Sequence, residues 1–153
     1  MIPATVARVP QQTAEHVNEQ IRRRTEESVR RVAAGGPAAI ARRLKELDEE
    51  WDTERTLEAN AATLVTIGSA LAVAVDRRFG LVPLVVGGFL LQHALQGWCP
   101  PLPVFRRYGV RTQSEIEQER YALKALRGDF RQVPADPSGQ GRGANQALHA
   151  VNG

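Results

Sequence analysis

The chain has 153 residues, about one domain's worth, with a formal net charge of only +3. Aromatics are 5% of it and its basic charge is spread out, which excludes a base-stacking nucleic-acid reader with a strong phosphate track. A single cysteine, Cys99, excludes an intramolecular disulfide and a multi-cysteine zinc site.

The histidines, His16, His93 and His149, lie too far apart for a short metal motif. No Walker loop, dinucleotide glycine fingerprint, HExxH or GxSxG occurs. No cofactor and no metal are therefore expected, and catalysis is not indicated. Charge is distributed unevenly. Residues 1–60 hold ten Arg/Lys and eleven Asp/Glu, and residues 99–153 hold eight and five. Residues 61–98 hold only Asp76, Arg77 and Arg78, so the middle obeys different rules from the flanks.

Met1 to Pro10 has no apolar core of signal-peptide length. Residues 1–36 read as an amphipathic helix, capped by Thr13 and running to about Ala33. Val17, Ile21, Val29 and Val32 share one face, and arginines crowd the rest. Attachment of this Arg-rich face to a membrane surface is one option, and a merely solvated face is the other. Gly35-Gly36-Pro37 ends that helix and starts the next.

Residues 37–98 read as one helix running into a membrane hairpin. Ile40, Leu44, Leu47 and Trp51 form a heptad-like seam, too short for a coiled-coil assignment. No proline or glycine interrupts the chain before Gly68, so the helix is expected to continue into the first span, about 59–75. Ala61–Val75 carries no charge and spans roughly 22 Å as helix, while Phe79–Trp98 spans about 30 Å. A bilayer core is about 30 Å thick. Arg77 and Arg78 can snorkel from the turn. Neither run has the polar stripe of a surface helix. The alternative is a buried helix pair, which so charged a chain of this length is too small to wrap.

The second span is expected over about 81–97. Gly97 closes it, Pro100, Pro101 and Pro103 stop its continuation, and Trp98 sits at the interface. Gly68 and Ala72, four apart, and the adjacent Gly87 and Gly88 are small surfaces for packing in lipid, within the hairpin or between chains. Arg42, Arg43, Lys45 and Arg55 precede the spans, and Arg106, Arg107 and Arg111 come after them. Seven positive charges against two in the turn place both termini in the cytoplasm.

Residues 99–131 read as an extended Cys-Pro segment and a cytoplasmic helix. Thr112 and Glu115 form its capping box, Ile116, Leu123 and Leu126 its apolar face, and Gly128 its stop. Residues 132–153 read as a disordered tail with Pro134, Pro137 and four glycines. The fold class is thus all-α: a transmembrane hairpin, amphipathic cytoplasmic flanks and a tail.

Taken together, Asn60, Arg77, Gly87-Gly88, Cys99-Pro100 and Gly109-Val110-Arg111-Thr112 resemble, over about residues 57–112, the YgaP-like small two-span inner-membrane protein family, whose domain function is unknown. The resemblance implies a hairpin in a bacterial inner membrane with cytoplasmic ends and a tendency to form homodimers. One branch of that family carries a rhodanese, and this chain has no such domain.

Cys99 is the one catalytic candidate. Arg106 and Arg107, folded back near it, would lower its pKa and favour a sulfur-transfer or redox role. Otherwise it packs as a small apolar residue. His93 is expected to bond Gln92, Gln96 or interfacial water. The leading expectation is a non-enzymatic membrane anchor that presents charged helices to a second copy or another protein. Its partners are the lipid bilayer and no nucleic acid. A thiol-dependent accessory protein and a soluble helical adaptor are the alternatives.

Overall fold

A computed structural model of the chain describes residues 3–133 and 143–152. The elements in order are α1 (Arg8–Gln11), α2 (Glu15–Ala34), α3 (Gly36–Glu49), α4 (Thr53–Ala74), a 3-10 turn (Arg77–Gly80), α5 (Leu81–Gln96), α6 (Leu102–Tyr108), α7 (Gln113–Arg127) and α8 (Ala144–Asn152). No strand occurs among the described residues. The chain divides into two compact units, Met1–Arg22 with Trp51–Ser114, and Arg23–Glu50 with Glu115–Gly153.

In the first unit, α4 does not continue from α3, which corrects the expectation of one helix running into the first span. Glu50 and Asp52 are both extended, with ψ of 128° and 174°. The Asp52 carboxylate then accepts from the Arg55 backbone N–H at 2.8 Å, capping α4. Thr53 anchors the restart. Its backbone N–H and hydroxyl both donate to the Arg111 carbonyl, at 2.8 and 3.0 Å.

The break also removes Trp51 from the seam. α3 ends at Glu49, and Trp51 is exposed with the Arg55 guanidinium 4.4 Å over its ring. Such a cation–π contact at an exposed site is worth about 0.5–1 kcal/mol, so Trp51 serves the cap region of α4.

α4 and α5 pack against each other at Gly68. A Cβ there would lie 2.9 Å from Val82 Cβ and 3.0 Å from Pro83 Cδ. Ala72 faces Gly80 nearby, its Cβ 3.9 Å from where a Gly80 Cβ would stand. A Cβ on Gly87 or Gly88 meets nothing within 4 Å, because both lie on the exposed side of α5. Two stretches, Gly36–Ala74 and Arg77–Gln96, are long and apolar enough to cross a membrane by length and composition. The apolar part of the first lies in α4.

α5 ends as expected at Gly97, whose φ of 79° favours glycine. The next segment is not the expected extended Cys-Pro stretch but a further helix, α6. Pro101 stands at its N-cap and Pro103 in its first turn, where a missing N–H costs nothing. The prolines end one helix and begin the next. Val9, Leu57, Cys99 and Leu102 form this unit's core, with Phe105 packed against them.

In the second unit, Ile40, Leu44 and Leu47 of α3 meet Ile116 and Leu123 of α7, and Val29 and Val32 of α2 cover them. Leu126 is exposed and does not continue the face assigned to it. α7 starts directly after Thr112 and stops before Gly128, which has φ of 94°. The expectation of a disordered tail requires correction in part. Ala144–Asn152 is a helix, with Ala150 buried and the Val151 carbonyl accepting from the Lys124 ammonium at 2.6 Å. Residues 134–142 of that tail lie outside the described residues.

Candidate functional site

The polar centre of the first unit is a cluster that joins its N-terminal segment to the two apolar helices. Glu54, in the first turn of α4, lies before the apolar run. Its Oε2 is 3.0 Å from Nε2 of His93, in the last turn of α5. Its Oε1 accepts from the Arg8 guanidinium at 2.8 Å. Arg8 also donates to the Ala94 carbonyl at 2.9 Å. The His93 hydrogen bond, with Arg8 behind it, holds the Glu54 carboxyl below its ordinary range against the opposing effect of burial. An ionised carboxylate only accepts, so Nε2 of His93 carries the proton and donates. Nδ1 of His93 and Nε of Arg8 are buried with no hydrogen-bond partner among the described residues.

His93 is expected to bond Gln92, Gln96 or interfacial water, and its Nε2 instead meets a carboxylate 39 residues away. Gly97 has a second duty that its role as a helix stop did not reveal. A Cβ there would come within 2.5 Å of the Arg8 backbone, so only glycine lets the N-terminal segment cross.

Cys99 is buried, and burial raises its thiol pKa. No arginine lowers it. Arg106, expected to fold back near the thiol, instead turns into the first unit. It is 1% exposed. Its guanidinium donates to Thr13 Oγ1 at 3.2 Å, the Val110 carbonyl at 3.0 Å and Asn18 Oδ1 at 3.0 Å. Thr13, expected to cap α2, donates to the Val9 carbonyl at 2.8 Å.

Arg77, Arg78 and Arg107 are exposed. Trp98 is half-buried and meets Phe89 edge to face, with centroids 6.4 Å apart. Cys99 lines an apolar cavity of about 240 Å³ together with Leu57, Leu64, Phe89 and Pro100. No base stands within hydrogen-bond distance of its sulfur among the described residues. Burial and a raised thiol pKa are the surroundings of a cysteine that packs as a small apolar residue.

Among the described residues, no group of three His, Cys, Asp or Glu side chains is placed to hold a metal ion. In comparisons with known proteins, the chain matches no family model, no curated protein and no solved structure.

Proposed function

We propose that the protein is a non-enzymatic helical-hairpin anchor of a bacterial inner membrane. In this reading the apolar runs of α4 and α5, about residues 59–75 and 81–97, cross the bilayer, and the charged helices are presented to a second copy or another protein partner. The observation that carries it is the outward aspect of the apolar helices. Only 17% of the first apolar window and 6% of the second are buried. Core helices of a soluble bundle hide such residues, whereas here Val73, Leu84 and Leu91 face outward. Lipid is the solvent that removes the cost of this exposure.

The orientation, with both termini cytoplasmic, rests on the seven flanking positive charges against two in the turn. The relation of residues 57–112 to YgaP-like two-span domains, and the homodimer it implies, belong to the same proposal. The thiol-dependent alternative finds no support in the burial and raised pKa of Cys99.

Carbonate extraction of membranes from cells expressing the full chain tests the anchor. Retention in the pellet is expected, and release into the supernatant overturns the reading. In a Cys99→Ser background, cysteines placed at positions 30 and 140 should resist an impermeant thiol reagent in intact cells, while one at position 78 reacts. The reverse pattern overturns the orientation.

A further inference from the structure

The second unit contains a polar cleft that the anchor reading does not use. It lies between α3 and α7, with a volume of about 580 Å³, within the range of small-molecule sites. Lys45, Asp48, Glu117, Arg120, Lys124 and Arg127 line it, with Tyr121 beside them.

The charges of this lining are not balanced. Both carboxylates are answered by one arginine: Arg120 Nε donates to Glu117 at 3.0 Å, and its Nη1 donates to Asp48. Arg127 is held by Asp129, at 2.8 and 2.6 Å. Lys45 and Lys124 remain, and neither has a carboxylate at hydrogen-bonding distance among the described residues. Asp129 acts on Lys124 through space, while its two oxygens accept from Arg127.

Lys124 is the informative one. It is only 5% exposed, and among the described residues its ammonium donates to one acceptor, the Val151 carbonyl at 2.6 Å. An ammonium has three N–H donors. A carbonyl, even at the end of a helix, offers only a partial negative charge. A buried cation without a counter-charge of its own is costly, and proteins normally pair it. Here the missing charge has room to arrive from the cleft.

We propose that this cleft binds a phosphate-bearing anion, whose oxygens accept hydrogen bonds from the ammonium groups of Lys45 and Lys124. Phosphate is the fitting chemistry because its several charged oxygens can accept from two lysines at once. The volume exceeds that of one phosphate group, so the ligand carries a further moiety. The phosphate belongs either to a soluble molecule or to a lipid headgroup, and the test separates the two.

The full chain in maltoside micelles is titrated calorimetrically with inorganic pyrophosphate. In a second arm, it is titrated with micelles carrying phosphatidic acid. Sodium chloride of matched ionic strength is the control. Saturable binding in the first arm assigns a soluble ligand, and binding confined to the second assigns a lipid headgroup. In the arm that binds, Lys45→Gln, at an exposed position, should weaken affinity by about fivefold. Lys124→Met should abolish saturable binding, because it removes the buried ammonium that faces the cleft. Lys45→Gln carries the test should Lys124→Met fail to fold. Heats no larger than the chloride control in both arms overturn the proposal. So does affinity unchanged by Lys45→Gln and Lys124→Met.

Discussion

Glu54 and His93 meet with Oε2 3.0 Å from Nε2, joining the first turn of α4 to the last turn of α5. Arg8 completes the junction from the N-terminal segment. One carboxylate therefore ties three separate stretches of the first unit. Charge-assisted bonds of this kind are the stronger class of hydrogen bond, and each partner fixes the rotamer of the next.

This junction makes stability depend on pH with a definite sign. Glu54 titrates lower in the folded chain than its ordinary value of 4.5, through its hydrogen bond from His93 and then Arg8. Its contribution is therefore complete above the unfolded value. It is lost as pH falls through the lower folded one. Glu54→Gln should cost about 1 kcal/mol at neutral pH, a figure kept small because a third of the side chain meets solvent. The gap between wild type and variant should close below about pH 4. Urea midpoints of the full chain in maltoside, measured across this range, check it. A constant gap would show that the carboxylate's charge contributes nothing.

Gly68 gives the second prediction. A methyl group there enters the space of Val82 and Pro83, whereas one at Gly88 enters open space. Gly68→Ala should lower stability by about 1–3 kcal/mol, the usual effect of overpacking. Gly88→Ala should be neutral or gain up to about 1 kcal/mol from helix propensity. Thermal midpoints separate the two. If Gly68 instead served a contact between chains, light scattering would show a smaller mass with an unchanged monomer midpoint.

The sequence discloses α5 almost to the residue because its end is written locally: Gly97 supplies the left-handed residue and prolines come after it. The interruption before α4 is hidden because Glu50-Trp51-Asp52 contains neither glycine nor proline. Its signal is Asp52 as a cap, a weak one without a glutamate three residues later. α6 is hidden by prolines that carry two meanings, stop and start. Gly68 is visible as a small residue, but its partner is not. His93 is visible as a polar residue in an apolar run, while Glu54 looks like one charge among many. Contacts such as theirs depend on how helices pair, which periodicity does not encode.

Arg106 shows the same gap between residue type and role. Its place beside the spans suggests an interfacial charge, yet its guanidinium reaches Thr13 and Asn18 in the N-terminal segment and the Val110 carbonyl after α6. Arg106→Ala should cost about 3 kcal/mol through lost charge-assisted bonds and lost packing. Arg106→Lys should recover little of it, because a single ammonium cannot reproduce the planar fork. Chemical denaturation of the three proteins side by side checks this. Full recovery by lysine would mean that charge alone matters at this position.

The last prediction concerns Glu119, whose side chain is fully buried in the second unit. It accepts from Ser28 Oγ at 2.7 Å and from Arg43 at 2.9 and 3.2 Å. The pairing, chiefly the hydrogen bond from Arg43 to Glu119, raises the arginine's pKa further above its ordinary value. Removing only the carboxylate leaves the guanidinium and the Ser28 hydroxyl without that acceptor in a partly closed site. Glu119→Leu should therefore cost about 3 kcal/mol. Removing both charges is a different experiment, because the desolvation of each ion disappears with it. Glu119→Leu combined with Arg43→Leu should recover at least half of the loss, since Ile116 and Leu123 already supply apolar surface on the same helix. A double-mutant cycle on urea stability measures the coupling directly. Strictly additive losses would show that the two side chains stabilise the unit independently, despite their hydrogen-bonding distance.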